Sequence, residues 1–173
     1  MEKTERDVTC FFTGHRSIPD EVMTPLLAEV DGTIESLYGE GYRNFVCGGA
    51  VGFDTIAACR VAVAAKRHPD VRFILVLPCR DQTSRWRRTV DLSLYQRIKG
   101  FADDVIYARD MYSEGCMHER NRMMADMSSA CVAYYNGARL GGTAYTVRYA
   151  EGEGLRIVNL FDRMVTERSG KTS

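Results

Sequence analysis

Three short segments of the chain combine glycine with groups that grip anions. They are Thr13-Gly14-His15-Arg16, Gly48-Gly49-Ala50-Val51-Gly52-Phe53-Asp54 and Leu140-Gly141-Gly142-Thr143. Each follows an apolar, strand-like run, and the second and third lead straight into helical patterns. A helix N-terminus offers unpaired amide N–H groups and about half a positive charge. Glycine lets an anion approach such a backbone closely, so phosphate is the natural guest. Thr143 adds a hydroxyl and Arg16 a charge-assisted fork. On this reading Gly48, Gly49 and Gly52 form one phosphate cradle and Gly141, Gly142 and Thr143 the other, with Gly14 and Arg16 beside them. Two readings fit Asp54: it answers the positive end of its own helix, or it accepts from ribose hydroxyls. The second loop, GGAVGFD, matches neither a dinucleotide fingerprint nor a Walker loop.

A fourth constellation is Met117-His118-Glu119-Arg120-Asn121-Arg122-Met123-Met124. Guanidinium, carboxylate and carboxamide side by side suit phosphate and sugar hydroxyls, and Arg120 and Asn121 are taken as ligand-binding. Gln82 and the single tryptophan, Trp86, follow the third strand-like run. They face a base, Gln82 by its edge and Trp86 by stacking, or Trp86 anchors the loop against the core. Arg85, Arg87 and Arg88 read as a solvated basic cluster.

These loops need elements to hold them. Apolar runs at Val8–Phe12, Asn44–Cys47, Val71–Leu77, Asp104–Ala108, Ala130–Tyr135 and Leu155–Phe161 predict six strands. Helical patterns fill the intervals 19–41, 53–67, 85–100, 114–127 and 141–152. Strands apolar on both sides imply a sheet covered on both faces. The expected fold is α/β: one domain with a three-layer, Rossmann-like, doubly wound and mostly parallel sheet over residues 1–162, then a polar tail at 163–173. In such sheets ligands sit beyond the carboxyl ends of the strands, where the loops above lie.

The chain has 173 residues, 45% apolar and 27% charged, enough for one domain with a real core. Lys+Arg and Asp+Glu both number 23, a formal charge of zero. A bulk electrostatic grip on nucleic acid or acidic membrane is therefore not expected. No apolar run reaches a membrane span and the N-terminus lacks a signal pattern, so the cytoplasm is the expected location. Six cysteines without CxxC spacing read as buried free thiols, Cys79 and Cys116 being the two in loops where a reactive thiol is the other reading. With three histidines, neither a metal site nor a cofactor is expected.

TGHR, GGAVGFD, P-x3-Q-x3-W from Pro78 to Trp86, MHERNRMM and NG-x3-GGT from Asn136 to Thr143 occur in this order. Together they resemble the YpsA-like branch of the SLOG superfamily, which also contains the DprA/Smf proteins and the lonely-guy phosphoribohydrolases. The resemblance spans about Val8 to Leu160 and implies a Rossmann-like fold with a site for nucleotides or nucleotide-derived ligands such as ADP-ribose, in a sensor or binding module. Two alternatives are an N-glycosidase and a DprA-like nucleic-acid or protein interaction module. Lonely-guy enzymes use the Arg of an MHERK-type helix and the Glu ending a PGGxGTxxE loop. Here Arg120 matches the Arg, while the Glu position is Thr146, which cannot stabilise oxocarbenium charge. Glu119 is the remaining carboxylate beside Arg120. The expected partner is a small nucleotide-type ligand, with nucleic acid and membrane set aside; a homodimer is implied by the resemblance alone.

Overall fold

The computed structural model describes residues 1–171. After a 3-10 turn at Arg6–Val8, strands and helices alternate: β1 (Thr9–Gly14), α1 (Asp20–Glu40), β2 (Asn44–Cys47), α2 (Phe53–Arg67), β3 (Arg72–Leu77), α3 (Thr89–Phe101), β4 (Asp104–Tyr107), α4 (Cys116–Asp126), β5 (Ala130–Tyr134), α5 (Gly142–Gly152), β6 (Arg156–Asn159) and α6 (Leu160–Gly170). The six strands form one sheet in the order β4-β3-β2-β1-β5-β6, and every pairing is parallel. The Rossmann-like fold expected from the periodicity is the fold observed.

The pleat explains why these strands are apolar throughout. Cys10 and Phe12 of β1 pack with α1, α2, α3 and α6, whereas Phe11 between them packs with α4 and α5. In β3, Phe73, Leu75 and Leu77 face the first layer, and Ile74 and Val76 the second. Successive side chains leave a strand on opposite faces, so burial on both sides demands a continuous apolar run. Helix α1 meets the sheet with Val22, Leu26, Val30, Ile34 and Leu37, all buried at the spacing of one helical face. Among the described residues no helix is long and apolar enough to cross a membrane.

Three expectations about elements differ from the structure. β1 runs on through Thr13 and Gly14, because a central strand keeps its ladder as far as its neighbour does, with Gly14 opposite Tyr134. Helix α3 begins at Thr89, not Arg85, since the preceding residues close a turn in which the Trp86 N–H donates to the Thr83 carbonyl at 3.0 Å. The polar tail is helical over most of its length. Asn159 caps α6 by accepting from the Phe161 N–H at 3.2 Å, and Leu160 and Met164, four apart, are buried on one face. Thr172 and Ser173 of that tail lie outside the described residues.

All six cysteines are free thiols, five of them buried. Cys79 is only 1% exposed, and burial pushes its thiol up to about 12, which removes the thiolate that reactivity needs.

Candidate functional site

Chain order reverses between β1 and β5, the position where an open parallel sheet parts its carboxyl-end loops into a crevice. A cavity of about 340 Å³ lies there. The end of β1 supplies Thr13 and Gly14 to its wall and the following loop His15 and Arg16; the turn into α5 supplies Leu140 to Thr143; α4 supplies Met117, His118, Arg120 and Asn121. His15 stitches the crevice together. Its N–H donates to the Tyr134 carbonyl, its carbonyl accepts from the Phe53 N–H at 3.0 Å, and its Nε2 accepts from the Asn136 N–H at 3.0 Å. That last bond makes the ring the Nδ1–H tautomer.

The two glycine loops, alike in composition, are used differently. At α5 the glycines face open space: a Cβ on Gly141 or Gly142 would have no neighbour within 4 Å. No side chain caps this helix, and among the described residues the Gly142 and Thr143 N–H groups donate to no protein acceptor. Arg16, exposed across the cavity, has no ion pair among the described residues. An uncapped helix N-terminus and a guanidinium without an ion pair thus stand on the wall of one cavity.

At β2–α2 the chain fills the space itself. The cavity wall here is Ala50 and Asp54, not Gly48, Gly49 or Gly52. A Cβ on Gly49 would stand 2.4 Å from Leu77 Cδ2, and one on Gly52 would stand 2.2 Å from the Arg16 carbonyl oxygen. Both residues have positive φ, 73° and 83°, so backbone turn and close packing account for them. Gly14 is likewise pressed on Phe53, whose ring would lie 2.5 Å from a Cβ there. These glycines let loops approach one another; the expected cradle of Gly48, Gly49 and Gly52 is closed by the protein's own atoms.

Beneath the cavity two charges are buried. Arg120 is 3% exposed and Asp54 6%. Both converge on Gly48, where a Cβ would lie 2.7 Å from Arg120 Nη1 and 2.8 Å from Asp54 Oδ2. Arg120 donates to the Gly48 carbonyl and, through Nε, to Asn121 Oδ1 at 2.7 Å; Asp54 accepts from the Ala50 N–H at 3.2 Å. Burial raises the Asp54 carboxyl above its ordinary range, and the attraction of Arg120 only partly offsets it. Burial lowers the Arg120 guanidinium, again against the pull of Asp54. For both groups the loss of water outweighs the attraction. Asp54 thus holds the loop as well as lining the cavity.

The remaining candidates scatter. Glu119 turns from the cavity to an ion pair with Arg109 at 2.5 Å. Thr146 is fully buried, its hydroxyl donating to the Gly142 carbonyl one turn back at 2.7 Å. Arg122 donates to the Tyr145 hydroxyl at 2.7 Å. Gln82 and Trp86 line a neighbouring cavity of about 500 Å³, which shares Arg16 and Met117 with the first. There Gln82 Nε2 lies 3.5 Å from the Gly49 carbonyl, and the Trp86 ring meets Tyr95 edge-on at 5.3 Å. Trp86 thus packs the loop against Tyr95 and lines this cavity.

Sequence reasoning missed His15, His118 and Leu140 as cavity walls, although all three stand inside or beside the quoted motifs. It also missed Tyr112, 63% exposed on the second cavity, whose segment carries no motif. Among the described residues no group of three or more His, Cys, Asp or Glu side chains could hold a metal ion.

A family model described as the YspA SLOG family matches residues 13–156. An uncharacterized SPbeta prophage-derived protein, YoqJ of Bacillus subtilis strain 168, is 30% identical over 139 residues, covering 73% of this chain and 78% of that one. Among solved structures, DNA processing protein A from Helicobacter pylori, reported for its unique single-stranded DNA binding mode, superposes with a TM-score of 0.60 at 16% identity, over 95% of this chain and 74% of that one. DNA processing protein A from Streptococcus pneumoniae gives a TM-score of 0.53 at 15% identity over 94% of this chain, which spans 62% of its length. The expectation that sets nucleic acid aside is corrected here. The fold is shared with a protein that binds single-stranded DNA, and a neutral total does not describe the cleft, where both Arg16 and Arg85 stand without ion pairs among the described residues.

Proposed function

The chain belongs to the YspA SLOG family, and from that premise we propose that its carboxyl-end cleft binds a phosphate-bearing nucleotide unit presented by single-stranded nucleic acid. The observation that carries this reading is the open N-terminus of α5 facing Arg16 across the crevice between β1 and β5. Amide groups fixed at a helix start need no reorganisation to take a phosphate, and Arg16 adds a charge that forms no ion pair among the described residues. The likeness to a single-stranded-DNA-binding protein supports a polymeric ligand. Contacts of this kind hold the backbone and leave sequence unread.

A second reading is a free nucleotide or ADP-ribose-like ligand. The volume of about 340 Å³ favours it, since pockets for small ligands start near 300 Å³.

One titration separates the two. A fluorescein-labelled 20-residue oligothymidylate is followed by anisotropy at several salt concentrations, with nucleoside monophosphates as competitors. The polymer reading expects affinity falling steeply with salt and monophosphates competing only weakly. Arg16→Ala should weaken binding about 10-fold or more and lower the log–log salt slope by about 1. Monophosphates binding as tightly as the oligomer would transfer the assignment to the free ligand. No binding of either would overturn it.

A further inference from the structure

The second cavity adjoins the first through Arg16 and Met117, so the two form one cleft. Their walls differ. The first offers amides and charge; the second offers rings. Tyr112 is 63% exposed there, Trp86 is half-buried beside it, and Arg85 has no ion pair among the described residues.

An exposed aromatic on a floppy loop would mean little, but this loop is braced. The Tyr112 N–H donates to Asp81 Oδ1 at 2.8 Å, and the Arg80 N–H to the Asp110 carbonyl at 3.0 Å. Arg109 reaches the Glu114 carbonyl at 3.1 Å and pairs with Glu119. Tyr112 is therefore held in place while its ring stays in water, which lowers the entropy cost of a ring contact. Its neighbour Met111 is equally exposed at 63%, and across the cleft Leu140 is 87% exposed. Leu140 lines the first cavity and Tyr112 the second, so each half of the cleft carries one exposed apolar side chain.

The group best shaped to read a base edge is not available. Gln82 is drawn toward the Gly49 carbonyl, and its Oε1 is shut off from solvent with no partner among the described residues. What remains open is ring surface.

We propose that the second cavity is a stacking subsite for single-stranded nucleic acid, in which a base lies on Tyr112 while Arg85 meets the adjoining phosphate. The inference rests on the nucleic-acid reading of the first cavity and adds to it that recognition is by ring face and tolerant of sequence. The smallest ligand that fills the cleft is then two nucleotides, one giving its phosphate to α5 and the next its base to Tyr112.

The test uses the full chain and labelled ten-residue oligothymidylate and oligoadenylate. Tyr112→Ala should weaken both by about 5- to 150-fold, the range for loss of one base–aromatic stack. Tyr112→Phe should bind as the parent does, and nucleoside monophosphate affinity should not change in either variant. Trp86 is the chain's single tryptophan, so its emission reports the cavity directly and should change with oligomer in the parent. Thermal melts establish that the variants fold. Loss in Arg16→Ala without loss in Tyr112→Ala would overturn stacking and leave the phosphate reading standing. Failure of the parent to bind either oligomer would overturn both. A strong preference for one homopolymer would overturn the ring-face mode.

Discussion

Gly52→Ala should destabilise the protein by about 2–6 kcal/mol, a large share of the roughly 5–15 kcal/mol that holds a domain together. Two costs add. The residue sits at φ 83°, where an L side chain is strained, and its Cβ would stand 2.2 Å from the Arg16 carbonyl oxygen. That oxygen is backbone and cannot swing aside as a side-chain tip would. The loop after β1 or the start of α2 must move, and the Phe53-to-His15 hydrogen bond lies between them. Urea denaturation followed by circular dichroism measures the loss. A glycine present only to admit an anion would behave otherwise: the variant would fold as the parent does and lose ligand alone. A change below about 1 kcal/mol would therefore return Gly52 to the binding site and refute the packing role.

Arg120→Met should cost about 3–5 kcal/mol, because it leaves the Asp54 carboxylate buried without its main compensating charge and the Gly48 carbonyl without its donor. Pairing it with Asp54→Asn should restore about 0.5–3 kcal/mol, since the isolated charge is then gone as well. The pH dependence has a definite sign. Asp54 has a folded-state pKa above its ordinary 3.8, so its contribution favours folding fully below that value and is lost as pH rises through the folded pKa. Removing Arg120 moves the folded pKa further up. The deficit of Arg120→Met should therefore be largest at neutral pH and shrink as pH falls toward 3.8. Denaturation curves for the parent, both single variants and the double variant across that range decide it. A deficit independent of pH would mean that Arg120 acts by packing and not by charge.

The strands were legible because each is buried on both faces. β2 and α2 begin and end where the apolar pattern does, at Asn44–Cys47 and Phe53–Arg67. Element ends set by partners were not legible. Gly14 looks like a breaker until Tyr134 is seen opposite it. The start of α6 hides in the apolar run 155–161, where Leu160 completes a strand by composition but faces the core from a helix. The site divides the same way. Motif position brought Gly14, Arg16, Asp54, Arg120, Asn121, Gly141, Gly142 and Thr143 to one cavity wall. Composition could not tell a glycine that opens space from one that fills it, because Gly49 and Gly142 differ in backbone turn and in what stands beside them: Gly49 has φ 73° and Leu77 against it, whereas Gly142 has neither. Net charge misled for a related reason: a sum over the chain says nothing about which arginines are left unpaired.

The closure of the β2–α2 loop has a consequence for how the cleft counts. With Asp54 and Arg120 both drawn to Gly48, a buried carboxylate and guanidinium already occupy the place where a second cradle would stand. The loop after β2 then offers an anion a carboxylate where the start of α5 offers amides, so on the proposed reading a pyrophosphate laid from α5 toward α2 would meet Asp54 with its second group. On that reading, charges spaced one per step along a chain would suit the cleft better than two fused together.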